Sequence, residues 1–311
     1  MIRHLGYACQ NLSLQTGRKL SERIQTSRTI RMSNFTLQRA GELAVKNSAD
    51  LLPILKWNAE NNIKFFRIGS DIFSFMDHAD LGYTLDDLDP NHRTKIIGNF
   101  AEAGAFAKTN GMRLSCHPGP YTCLASPNPS IVEKSITSLR MHSLIGDLLG
   151  YGEEFAINIH VGGVYEDKAA TAKRFVQVYR QLTPLMQRRL TLENDDKASM
   201  WSIQELYDLV YKHCDVKLVL DIHHHKFCQG GNTLETAARL AFSTWAGFSE
   251  IPKIHYSESR PNSRPQAHSD YLKESIPVLC NDTEYDVMIE AKAKDLALIH
   301  YKKEVLNETT N

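Results

Sequence analysis

The sequence predicts an α/β protein: a single (β/α)8 TIM barrel over residues 1–311, with metal-binding side chains gathered at the C-terminal ends of its strands. Three observations predict it. Short apolar runs alternate with longer helical stretches along the chain, the order that builds a parallel sheet. Eight such runs can be found, enough to close the sheet on itself. Nearly every run also ends in histidine, aspartate or glutamate although its interior is apolar. A doubly wound open sheet is the alternative that the alternation alone leaves.

The expected strands are residues 2–8, 63–69, 113–117, 156–160, 190–193, 216–221, 253–256 and 287–290. Each is short and apolar, often β-branched or aromatic, as a strand buried on both faces should be. The first helical stretch is 35–61, with Asn34 as its cap; Pro53 inside it predicts a kink or a division into two helices. The next, 93–110, ends at Gly111. Pro129 and Ser130 open a third that runs to about 149, where Gly150 is a stop signal. Stretches 167–187, 201–213 and 234–242 follow. The polar loops 13–33 and 257–268 are expected on the face where the strands end. No low-complexity tract or domain linker interrupts the pattern.

Composition narrows the function. Hydrophobic residues make up 42% of the chain and charged ones 23%, an ordinary globular balance. With 36 Lys+Arg against 36 Asp+Glu the net charge is zero, which argues against a surface coated in positive charge but not against a local basic groove. One basic region is visible: Arg3, Arg18, Lys19, Arg23, Arg28, Arg31 and Arg39 face only Glu22 in the first forty positions. The six cysteines are scattered with no C-x-x-C pair, which argues against a thiolate zinc site. A chain of this size needs no disulfide framework, so reduced thiols in a cytoplasmic protein are expected. The opening residues show no signal-peptide pattern, and no stretch approaches the length of a membrane span.

The chemistry lies at the strand ends. In order these carry Tyr7 and, just past it, Asn11; Asp71; His117; His160; Glu193; Asp221 and His224; Lys253 and His255; and Glu290. A charged or imidazole group in an apolar strand costs free energy unless it is paired or coordinated. A lone case has a simple structural explanation, but consecutive strands each ending this way do not share it. In a barrel these ends converge, and the converging carboxylates would repel one another unless cations lie between them. Imidazoles and carboxylates without organised thiolates suit Mn²⁺, Zn²⁺ or Fe²⁺. The ligands are too many for one ion, and Glu193 and Glu290 could bridge two, an arrangement suited to phosphodiester hydrolysis. Sugar isomerisation or epimerisation in a metal-containing barrel is the rival reading, and a non-catalytic binding protein that kept the fold is a third. His223 and His225 flank His224 and are expected to point elsewhere; His4, His78, His92, His142, His213 and His300 read as surface or packing residues.

Taken in order, L-G-Y-A-C-Q-N-L, R-T-I-R, F-F-R-I-G, L-S-C-H-P-G-P-Y, I-H-V-G-G-V-Y-E-D-K, L-E-N-D, L-V-L-D-I-H-H-H, P-K-I-H-Y-S, R-P-Q-A-H and D-V-M-I-E-A-K resemble the UV damage endonuclease family, relatives of endonuclease IV. They cover nearly the whole chain. The resemblance implies cleavage of damaged double-stranded DNA on the 5′ side of UV photoproducts (pyrimidine dimers and 6-4 photoproducts, with abasic sites as a further substrate) by a monomer. It implies two to three divalent ions, Mn²⁺ first, with Zn²⁺ or Mg²⁺ as alternatives. Carried over by motif, the ligands are His117, His160, Glu193, Asp221, His224, His255, His268 and Glu290, with Asp71 as an additional candidate. Glu193, Glu290 and Lys253 are the catalytic candidates; Lys253 matches a lysine that can be carboxylated. Tyr7 and Asn11 match positions near the scissile phosphate. Tyr121 matches an aromatic that probes the lesion, Pro120 its neighbour in the wedge, and Arg28 and Arg31 are expected on phosphates. Two departures stand out: Pro120 replaces an expected glutamine, and Asp71 stands where some relatives have histidine.

Overall fold

The computed structural model describes residues 1–17, 19, 22–165 and 167–307. Eight parallel strands form a closed barrel in sequence order. They are β1 (Ile2–Ala8), β2 (Phe65–Ile68), β3 (Arg113–Cys116), β4 (Ala156–Ile159), β5 (Leu190–Glu193), β6 (Lys217–Asp221), β7 (Lys253–Tyr256) and β8 (Tyr285–Ile289). The ring is closed by β1 against β8, with Gly6 opposite Met288 and Tyr7 opposite Ile289. Strands β3 to β8 are buried along their whole length, which explains why they read as continuous apolar runs. The open sheet is thereby excluded.

Helices wrap the outside. The first two are α1 (Leu37–Ala49) and α2 (Leu51–Glu60). The stretch divides at Asp50, and Pro53 falls in the first turn of α2, where a missing N–H costs nothing. Thr36, rather than Asn34, caps α1 by accepting from the Arg39 amide. Next come α3 (Pro90–Thr109), capped by Asp89, and α4 (Pro129–Leu148), capped by Asn128. Gly111 and Gly150 follow them with positive φ, the left-handed stop expected of each. The stretch expected as one helix over 167–187 is two, α5 (Lys168–Tyr179) and α6 (Pro184–Arg189). Pro184 bars Thr183 from continuing a helix and starts a new one. Ser202 and Glu205 form a capping box at α7 (Ile203–Leu206), which leads through one π-turn into α8 (Lys212–Cys214). Then follow α9 (Ile222–His225), α10 (Leu234–Ser243) and α11 (Lys294–His300). No described helix is long and apolar enough to cross a membrane.

The end of the barrel where the strands begin holds buried charge. Asp286 receives both Arg3 and Arg113, at 2.7 and 2.9 Å. From there a ladder of cations and rings runs outward. Arg113 lies 5.3 Å from both Phe65 and Trp245, Lys217 lies 5.1 Å from Trp245 and 4.4 Å from Phe248, and Arg188 lies 4.2 Å from Phe248. Replacing Asp286 with alanine strands the Arg113 guanidinium without its counter-ion. The expected cost is about 3–5 kcal/mol, read as a lower urea midpoint at unchanged slope.

Candidate metal centre

The opposite end gathers the side chains that interrupt the apolar pattern. His117 and His160 stand one residue past β3 and β4, Glu193 and Asp221 close β5 and β6, His224 lies in α9, His255 inside β7, and Glu290 just past β8. Their ligand atoms form three groups, each within 4.8 Å: His117, His160 and Glu193; Glu193, Asp221 and His224; Asp221, His255 and Glu290. Glu193 and Asp221 each belong to two groups, so the carboxylates link the three into one centre.

Distances show how tight the convergence is. Around Glu193 lie His117 Nε2 at 3.3 Å, His255 Nδ1 at 3.0 Å, His224 Nδ1 at 3.4 Å and His160 Nε2 at 3.8 Å. His255 Nδ1 is also 3.2 Å from Glu290. Yet both nitrogens of His255, Oδ2 of Asp221 and Nζ of Lys253 are buried without a hydrogen-bond partner. Close approach without alignment is the geometry of donor atoms aimed at a shared third point. A nitrogen and oxygen set of this kind fits a borderline or hard divalent cation.

Outer contacts hold the ligands in place. The Nδ1 atoms of His117 and His268 lie 3.0 and 2.9 Å from the carbonyls of Pro118 and Glu290. Such pairing leaves Nε2 of each ring free to ligate. His160 Nδ1 faces Asp195 at 3.4 Å. Asn158 donates to Glu193 and is itself held by Thr191 at 2.8 Å. Asn194 bonds the Asp221 amide and carbonyl at 2.8 and 3.1 Å, locking the end of β5 to that of β6. Asp221 in turn caps α9 through the His224 amide at 2.8 Å.

The electrostatics follow from burial and neighbours. Burial pushes the Glu193 carboxyl up, but the imidazoles of His255, His160 and His117 outweigh it and hold it well below the usual range. Glu290 is likewise low against its burial, through Arg67 and His255. Burial pushes His117 down to about 4, so its imidazole is neutral at pH 7. His224 is also penalised by burial, yet Asp221 and Glu193 raise it to about 10. Burial, with the guanidinium groups of Arg113 and Arg67, pushes the Lys253 amine down to about 7.

The remaining expected residues fall elsewhere. His268 sits beside the centre, 3.8 Å from the Glu290 carboxylate, on a loop pinned by a bridge to Ser259. Asp71 lies in a short turn after β2, exposed, and is not brought together with the three groups. Tyr7 and Asn11 are fully buried. The Tyr7 hydroxyl donates to Asn58 at 2.7 Å and accepts from Asn11 at 2.9 Å, so both organise the loop after β1. Arg28 folds back onto Asp50 at 2.6 Å and onto the carbonyls of Gln25 and Arg23, while Arg31 is exposed. Arg18 lies outside the described residues. Pro120 opens a turn closed by the Thr122 amide on the Gly119 carbonyl at 3.0 Å, which leaves Tyr121 91% exposed. Sequence reasoning missed Arg67, whose guanidinium contacts Glu290, together with Asn158 and Asp195. The signal for Arg67 was available: it is a charged residue inside the run F-F-R-I.

Comparison with known proteins agrees with this geometry. The sequence profile of the UV-endonuclease UvdE family matches residues 3–310. The UV-damage endonuclease of Schizosaccharomyces pombe is 36% identical over 94% of this chain, which spans about half (49%) of that protein's length. The UV DNA damage endonuclease of Bacillus cereus strain Q1 is 30% identical, over 84% of this chain and 81% of its own. The crystal structure of SacUVDE superposes with a TM-score of 0.83 at 27% identity, covering 98% of this chain and 99% of the other. The chain belongs to the UV-endonuclease family.

A protonated His224 has a measurable consequence. Its proton must leave before the ring can ligate, so divalent ions added to metal-free protein near pH 7 should release about one proton per site from this group. Apparent affinity should therefore rise with pH until His224 titrates. Calorimetry in two buffers of different ionisation enthalpy reads the proton count directly.

Proposed function

We propose that this member of the UV-endonuclease family is a DNA-repair hydrolase that cuts the phosphodiester on the 5′ side of UV photoproducts. Pyrimidine dimers and 6-4 photoproducts are its main substrates and abasic sites a further one. The observation that carries the proposal is the sharing of Glu193 and Asp221 among three ligand groups at one barrel mouth. His117, His160, Glu193, Asp221, His224, His255, His268 and Glu290 would hold two to three divalent ions, Mn²⁺ first. Asp71 would join them only if its turn moved inward. When bound, the ions would activate the nucleophile and offset charge at the scissile phosphate.

The chain's own residues do the rest. Asn158, Asn194 and Asp195 keep the ligands oriented, so little reorganisation is needed as the phosphate arrives. Arg67 and Glu290 pair within the centre, and the pair keeps that carboxylate ionised. Lys253 is poised near 7, so much of it is a free amine at neutral pH, the form able to take up CO2 or a proton. Arg31 contacts phosphate from its exposed loop, whereas Arg28, Tyr7 and Asn11 brace the surfaces around it. The turn Gly119–Thr122 presents Tyr121 rigidly, with Pro120 filling space beside it. A photoproduct pairs and stacks poorly, so a helix containing one deforms at lower cost around such a probe. Recognition then rests on deformability more than on base reading.

An end-labelled duplex with one site-specific pyrimidine dimer tests the reading. Wild-type protein with Mn²⁺ should cut immediately 5′ to the dimer, with no cut in undamaged DNA or in EDTA. Cleavage of an abasic site alone would move the assignment toward an endonuclease IV activity. No cleavage of either duplex by metal-loaded protein would return the site to carbohydrate epimerisation. Glu193→Gln should abolish incision while the fold and its circular dichroism persist; normal cutting by that variant would remove Glu193 from the centre. Tyr121→Ala should cut the dimer duplex at least tenfold more slowly, with metal content unchanged. Unaltered discrimination between damaged and undamaged DNA would take Tyr121 out of recognition.

A further inference from the structure

The loop after β4 holds Tyr165 in a backbone conformation that residues with a side chain rarely adopt. Asparagine and aspartate tolerate positive φ. Setting them aside, the non-glycine residues with positive φ among those described are Cys9, Phe75, Tyr165 and Lys294. All four follow the C-terminal end of a strand, on the face that carries the metal centre. Strain of this kind persists where the surroundings enforce it, and it collects at binding sites. Three of the four are at least partly buried, and Phe75 packs on Phe35 at 5.6 Å. Tyr165, with φ +51°, is the exposed one: 43% of it is open to solvent.

The surroundings hold this ring in place without covering it. Its hydroxyl lies 3.4 Å from Cys123 Sγ, and Cys123 is itself buried and bonded to the Val161 carbonyl. Arg174 places its guanidinium 5.5 Å from the ring centre and is fixed by the Ala125 carbonyl and by Thr171, both at 2.9 Å. The tie to Cys123 joins the loop that begins at His160 to the loop that carries Tyr121, two residues before Cys123. Two exposed aromatics on tied loops, loops that begin at the candidate ligands His117 and His160, form an arrangement suited to stacking on nucleic-acid bases.

We propose that Tyr165 is a second aromatic contact to the damaged strand, stacking beside Tyr121 on the DNA that lies across the metal centre. The proposal rests on the endonuclease reading. Tyr165 touches substrate and acts on binding, so its loss should raise KM while leaving kcat near the wild-type value.

Incision kinetics on the dimer duplex test it, with metal content measured in parallel. Tyr165→Asn suits the positive φ and spares the fold; its KM should rise about tenfold, the loss expected of one stacked base. Tyr165→Phe keeps the ring and its contact with Arg174 and should lose much less than Tyr165→Asn. If wild type fails to cut, the endonuclease reading falls and this inference with it. If wild type cuts and Tyr165→Asn shows an unchanged KM, this inference alone is overturned. It is equally overturned if Tyr165→Phe loses as much as Tyr165→Asn, because the hydroxyl tie to Cys123 would then be what matters.

Discussion

Three carboxylates, Glu193, Asp221 and Glu290, meet at one barrel mouth, each far more buried than an ionised group normally is, and the rest of the structure depends on keeping them there. Left alone, such a group would neutralise itself by taking up protons. Here the imidazoles of His255 and His160 and the guanidinium of Arg67 keep two of them ionised despite burial. The positions of the ligands along the strands follow from the same requirement. Each of β3 to β8 ends within reach of the same small volume, so a ligand displaced by one residue would face the barrel wall instead.

The arrangement divides the barrel into a rigid frame and presenting loops. Asn194 locks β5 to β6, and Asp221 caps the helix that carries His224, so one carboxylate serves the centre and the local fold together. Tyr121 and Tyr165, by contrast, sit on loops held by a turn hydrogen bond in one case and by contacts to Cys123 and Arg174 in the other, with much of each ring open to solvent. Burial at the ligands and exposure at the rings are different demands, and the fold assigns them to different elements.

Much of this was legible in the sequence. The strand ends could be read because each places an ionisable residue where the apolar pattern should continue, and such an exception survives any small error in strand boundaries. What the pattern could not supply was direction. Arg28 lies in a basic stretch, and composition alone does not show that it turns back onto Asp50. Tyr7 and Asn11 lie at the right end of the right strand, yet their hydrogen bonds to each other and to Asn58 draw them into the core. Asn158 and Asp195 escaped notice because a neutral amide or a turn aspartate breaks no pattern. The divisions at Asp50 and Thr183 reflect proline placement and, at Thr183, a side-chain cap, which decide where a helix starts and stops more than hydrophobic period does.

The cation and ring ladder at the far end also bears on chemistry. Arg113 belongs to that ladder and to the Asp286 pair, yet its charge contributes to lowering the Lys253 amine inside the barrel. Arg113 and Lys253 each begin a strand, so the charge at that end of the barrel bears on an amine two residues before the candidate ligand His255. A neutral substitute for Arg113 would leave the buried Asp286 carboxylate with Arg3 alone, and would at the same time raise the proton affinity of the Lys253 amine. At this position the electrostatics of the interior and the integrity of the fold are carried by one side chain, so a change there would alter the charge state of Lys253 and the stability of the barrel together.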